Sequence, residues 1–171
     1  MPQFSIPYMA SVTVTNVNVR SELHGDGHVP AADISLKMST SNQVLTEFDT
    51  ALRAAIYKPA EENYHQPQAE LDGIDPISDL PLLRCASIEQ PIKLKPKFVG
   101  YKLEIDRGLG MGSNIFVDGC NVNKFRADCK EGGTVDLLFR VQASGLKEDV
   151  IGKLATLIGS ETRITLTPPE E

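Results

Sequence analysis

His24, Asp26 and His28 set two imidazoles and a carboxylate within five residues, a donor set chemically suited to zinc. Histidines four apart converge when they lie on a helix, whereas Gly25 and Gly27 between these two favour a turn. No further strong ligand stands nearby in the sequence. The motif reads as a solvated turn first, and as a metal-dependent or nucleotide-sequestering site only second. Nucleophilic catalysis finds less support. There is no GxSxG elbow, and Cys120 and Cys129 fall in a strand-like region where a buried small thiol is the ordinary reading. Carboxylate pairs such as Glu61/Glu62 and Asp72/Asp75 could do acid–base work, but they sit in a Pro-rich segment that preorganises nothing. Gly108-Leu109-Gly110-Met111-Gly112-Ser113 fails as a dinucleotide loop, because Ser113 stands where the third Gly is required and a strand pattern follows in place of a helix. No catalytic residue and no cofactor are expected.

Two charged segments remain. Glu61, Glu62, Glu70, Asp72, Asp75 and Asp79 lie in a stretch without Lys or Arg, which suits a protein-contact loop. Downstream, Lys93, Lys95, Lys97 and Lys102 alternate with Phe98 and Tyr101. Basic side chains beside aromatic platforms are what single-stranded nucleic acid asks of a protein. The same residues also describe a strand with a buried aromatic face and lysines that guard its edge. The two readings differ in one observable: nucleic-acid binding needs Phe98 or Tyr101 exposed beside the lysines.

The elements that must carry these residues follow from periodicity. Ser11 to Val19 alternates apolar with small polar residues and slips phase between Val14 and Val17, so a strand with a bulge near Thr15-Asn16 is expected. A turn at 24–28 leads to a strand through Ile34, Leu36 and Met38. Val44, Leu45, Phe48, Leu52, Ala55 and Ile56 recur at three- and four-residue spacing, which predicts an amphipathic helix over about 42–57. Residues 58–82 hold four prolines and no period, an acidic Pro-rich excursion. Strands are expected around 92–94 and 98–105, broken near Pro96, then over 115–127 with a kink at Gly119. A hairpin turn at 131–133 and a strand from Val135 to Val141 come next. A second helix over about 146–158 and a closing strand at 162–167 complete the chain. Runs of strands with only two helices indicate an α+β fold, mainly antiparallel, in one domain spanning 1–171.

At 171 residues and 41% hydrophobic content the chain can bury a core without a staple. Three cysteines at irregular spacing point to reduced thiols, with a Cys120–Cys129 bridge as the minor alternative. The net charge of −6 argues against a generic polyanion binder. No apolar run is long enough for a membrane span, and the first residues lack the pattern of a signal peptide, so a cytoplasmic protein is expected.

Residues Glu22 to Ile34, a helix ending Ala51-Leu52-Arg53-Ala54-Ala55-Ile56-Tyr57, and Gly132 to Gln142 followed by Ile164-Thr165-Leu166 resemble a group of uncharacterised proteins of tailed bacteriophages and prophages. The resemblance spans most of the chain and implies a phage-encoded protein in the bacterial cytoplasm, from a DNA-metabolism region. It brings no active site. The expectation is a non-enzymatic protein that binds a host or phage protein machine, as accessory factor or inhibitor of host defence. The alternative is a single-stranded nucleic-acid-binding accessory of recombination or replication. The oligomeric state is not set by the sequence.

Overall fold

A computed structural model of the chain describes residues 3–62 and 78–170. In chain order its elements are β1 (Ile6–His24), β2 (Gly27–Ser41), a 3₁₀ turn (Asn42–Glu47), α1 (Leu52–Ile56), β3 (Tyr57–Lys58), β4 (Leu82–Leu83), β5 (Ile92–Lys93), β6 (Phe98–Asp106), a 3₁₀ turn (Met111–Ser113), β7 (Ile115–Cys129), β8 (Thr134–Ser144), α2 (Glu148–Ala155) and β9 (Glu161–Thr167). The antiparallel, mainly β character expected from the sequence is present. What periodicity did not reveal is closure: β7, β6, β9, β1, β2 and β8 form a ring, because β8 returns to pair with β7. Closure removes sheet edges wherever the strands overlap.

The chain divides into two compact units. One comprises Ser5–Met38, Lys95–Phe125 and Leu138–Glu171, and holds most of the barrel. Its core is the inward row of each strand: Val12, Val14, Ile34, Leu36, Leu103, Ile105, Val141, Ile164 and Leu166 are all buried. Phe125 stacks on Phe139 with centroids 5.7 Å apart. The expected bulge lies where the phase slips, between Val14 and Asn16, and Thr15 Oγ1 donates to Ser35 O at 3.1 Å beside it. The hairpin closes on His24 opposite Gly27, with Gly25 at φ 63° supplying the left-handed conformation that a two-residue turn needs.

The other unit comprises Met1–Phe4, Ser39–Leu94 and Arg126–Leu137. Phe4 and Phe48 stack at 5.5 Å over a core that includes Leu45, Tyr57, Ala127, Cys129, Val135 and Leu137. Tyr57 is fully buried, and its hydroxyl donates to Lys130 O at 2.8 Å. β3 and β4 pair Tyr57 with Leu83 and Lys58 with Leu82.

The helix expected over 42–57 is interrupted. Ser41 caps it, its hydroxyl accepting from Gln43 N, but the first turn is 3₁₀. Both Phe48 N and Asp49 N then donate to Leu45 O. Asp49 Oδ1 accepts the Ala51 amide at 2.8 Å, a local bond that competes with the helical ladder. Only Leu52–Ile56 resumes the α form, and Tyr57 is already strand. The second helix is shorter than expected, 148–155, because Leu157 N bonds back three residues to Leu154 O and tightens the last turn. Leu154 and Leu157 are buried, whereas Ile158 is 48% exposed.

Candidate functional site

The outer wall of the barrel is built by alternation. In β9, Thr162, Ile164 and Leu166 are buried, so Arg163 and Thr165 face outward. Register carries that outward row across neighbouring strands: Thr165 opposes Glu104 of β6, and Glu104 opposes Phe116 of β7. Phe116 stands between buried Ile115 and Val117 and is 66% exposed. On the other side of β9, the β1 register slips between Ile6 and Ala10, and Tyr8 within that irregularity is 84% exposed. Polar pairs hold this wall in place. Arg163 donates to Asp106 Oδ2 at 2.7 Å, Gly108 N to Asp106 Oδ1 at 2.8 Å, and Asn114 Nδ2 to Glu104 Oε1 at 3.0 Å. The Gly108 amide, together with Arg163, keeps the Asp106 carboxyl below its ordinary range. Two large aromatic side chains on a hydrogen-bonded wall are suited to contact with another macromolecule.

A second polar group runs along β8, β7, β2 and β1. Arg140 Nε donates to Asn123 Oδ1 (3.0 Å), Asn123 Nδ2 to Gln142 Oε1 (2.8 Å), and Gln142 Nε2 to Asp33 Oδ1 (3.1 Å). Arg20 joins Asp33 at 3.1 Å and also binds Glu22. Glu22 accepts the Ser144 hydroxyl at 2.5 Å, and His24 Nε2 lies 3.4 Å from the same carboxylate and 3.5 Å from Ser144 Oγ. Ser, His and Glu thus meet, but not as a triad. In a triad the imidazole stands between nucleophile and acid and uses both ring nitrogens. Here one nitrogen faces both partners and the serine proton goes directly to the carboxylate. The arrangement ties β8 to β1. Hydrogen bonds from Ser144 first, then Arg20 and His24, pull the Glu22 carboxyl from 4.5 to about 2.

The residues singled out from sequence separate. Leu23 opposes His28 and His24 opposes Gly27, so the two imidazoles point to opposite faces of the hairpin, with Asp26 in the turn. No cluster of three potential metal ligands occurs among the described residues. In the acidic segment, Glu61 pairs with Lys58 at 3.7 Å and Asp79 with Arg53, while Glu62 is exposed. Glu70, Asp72 and Asp75 lie outside the described residues. Lys93, Lys95, Lys97 and Lys102 are exposed, but Tyr101 is 3% exposed. Half-buried Phe98 packs 5.5 Å from Tyr101 and edge-on to Phe125 at 5.7 Å. Tyr101 therefore offers no stacking platform. All three cysteines are free, Cys85 exposed and the others buried, so the Cys120–Cys129 bridge does not form. The glycine loop ends in a single 3₁₀ turn before β7.

The exposed aromatics escaped the sequence reading. For Phe116 the signal was present: Ile115-Phe116-Val117 are three consecutive apolar residues, and in a strand the middle one must face away from the other two. For Tyr8 there was none, since its exposure follows from a slip in pairing with a distant strand. Comparison with protein-family models, with curated proteins and with solved structures finds no match to this chain. No helix among the described residues is long and apolar enough to cross a membrane.

Proposed function

We propose that the protein is a phage-encoded, non-enzymatic binding factor that docks on a host or phage protein machine, as accessory or inhibitor. The observation that carries this reading is the outward wall with Tyr8 and Phe116, 84% and 66% exposed, Phe116 on a strand paired to its neighbour and Tyr8 in the irregular stretch of β1. Tyrosine and phenylalanine are enriched at interfaces, and interface energy concentrates in such aromatic anchors. The phage assignment is supported by the resemblance of residues 22–34, 51–57 and 132–142. Burial of Tyr101 and the packing of Phe98 weigh against single-strand binding through the lysines.

The test is capture by tagged protein from bacterial lysate, with and without nuclease. A stoichiometric protein is expected to survive nuclease and to be lost with Tyr8→Ala/Phe116→Ala. Truncating two central anchors costs about 2 kcal/mol each, roughly a thousandfold in affinity together. Lys95→Ala/Lys97→Ala/Lys102→Ala should leave capture unchanged. Nucleic acid alone, released by nuclease or salt and lost with the lysine variant, would replace this reading with the nucleic-acid one. Glu61→Lys/Glu62→Lys is the third arm. Capture abolished there and retained in the aromatic variant would move the contact to the acidic segment.

A further inference from the structure

β1 is the longest strand, and its two edges are covered unequally. Thr13 opposes Glu161 of β9 and Lys37 of β2, so those strands flank opposite edges of β1. β9 covers its edge from Ile6 to Thr13, and two backbone bonds at Val14, from Gly159 N at 2.7 Å and to Ser160 O at 3.0 Å, extend that cover slightly. From Asn16 to His24, among the described residues, no strand pairs with that edge, while β2 follows the other to the hairpin turn. The pair His24–Gly27 closes a two-residue turn, and a closing pair exchanges its hydrogen bonds. By alternation, Asn18, Arg20, Glu22 and His24 then aim their peptide groups at β2. Val17, Val19, Ser21 and Leu23 aim theirs at the open edge. An open edge of this kind is ordinarily blunted by Lys or Pro, and neither occurs between residues 16 and 24. Val19 and Leu23 share the apolar face of the strand yet are 49% and 66% exposed.

We propose that this edge pairs with the same edge of a second copy of the chain, antiparallel, about a two-fold axis through Ser21. Residues that aim outward must meet residues that aim outward, so the axis passes through a residue and not between two. Centring on Arg20 would set Arg20 against itself, and centring on Glu22 would oppose two carboxylates. Centring on Ser21 sets Arg20 of each copy against Glu22 of the other and Val19 against Leu23, each twice. Of the registers centred on Arg20, Ser21 and Glu22, only the one on Ser21 is self-complementary in charge and in apolar contact. A two-fold pairing uses one patch twice, as isologous dimers do.

Sedimentation velocity of the full chain over a concentration series reads the outcome directly. The mass is expected to rise from 18.7 kDa toward twice that value. Ser21→Pro deletes an amide aimed at the open edge and leaves the β2 ladder intact, so it should be monomeric at concentrations where the wild type is dimeric, with an unchanged far-ultraviolet spectrum. Arg20→Glu and Glu22→Arg should each weaken self-association by about tenfold through two like-charge cross-strand pairs. Mixing these two variants should restore it, because each then meets its opposite. A wild type that stays monomeric up to its solubility limit overturns the proposal. So does a dimer that Ser21→Pro leaves intact, or one that charge exchange fails to rescue.

Discussion

Asn42 shows how one buried polar side chain can organise its surroundings. It is fully buried, its Nδ2 donates to Leu80 O at 2.7 Å, and its Oδ1 accepts from Arg53 Nε at 2.8 Å and Ser78 Oγ at 3.0 Å. Asn42→Ala would strand a carbonyl and part of a guanidinium whose side chain is only 11% exposed, and unpaired buried groups of this kind cost about 1–3 kcal/mol. The urea midpoint should fall accordingly. A midpoint unchanged from wild type would mean that water replaces the amide without loss. The thiols make a second residue-scale case. Burial first, with Asp118 adding, pushes Cys120 up to about 12, and burial above all raises Cys129 to about 11. The thiolate is the reactive form, so a disulfide-exchange reagent should find Cys85 quickly and the other two only on unfolding. Two fast thiols in the native protein would contradict the packing around one of the buried pair.

At the scale of elements, the turn between β7 and β8 depends on Gly133. Its φ is 89°, and a Cβ there would lie 2.6 Å from Ser78 Cβ and 3.2 Å from Asn42 Nδ2. Gly110, at φ 98°, has nothing within 4 Å of the same added atom. Both Gly→Ala changes incur the left-handed penalty of about 1–2 kcal/mol, so the difference between them isolates the collision with Ser78. Gly133→Ala should be the more destabilising in urea, and equal losses would show that the 78–80 segment moves aside freely. The turn itself was legible in Glu131-Gly132-Gly133, as were the phase slip at Thr15-Asn16 and the inward rows of β8 and β9, because alternation and turn chemistry are local signals. The 42–57 helix was misread at Asp49, whose side chain takes an amide that apolar spacing would assign to the ladder. Closure of the barrel was not legible at all. It rests on pairs such as Ala10 with Ile164, which are remote in sequence. The free edge of β1 and the exposure of Tyr8 are consequences of that same distant pairing.

Across the whole molecule, acid should be the solvent change the fold tolerates least. Among the described carboxyls, Glu22 is held below its ordinary range chiefly by the Ser144 hydroxyl, Asp79 by the Arg53 guanidinium, and Asp106 by the Gly108 amide. A carboxyl depressed in the folded state binds fewer protons there than in the unfolded chain, so the unfolded state gains as pH falls. The stabilisation from Glu22 is complete above its ordinary 4.5 and is lost as pH falls through about 2. As pH falls from 7 the net charge turns from −6 to strongly positive, since the 17 Lys and Arg keep their charge while the acids neutralise. Self-repulsion then acts in the same direction. Urea midpoints should therefore be nearly level between about pH 7 and pH 5 and drop steeply by about pH 3. Glu22→Gln separates the two contributions. It removes one titrating group but leaves the repulsion of the remaining charges, so its acid limb should be shallower than that of wild type. An acid limb of identical slope in the variant would assign the whole loss to general repulsion and none to the bonds that Ser144, Arg20 and His24 make to that carboxylate.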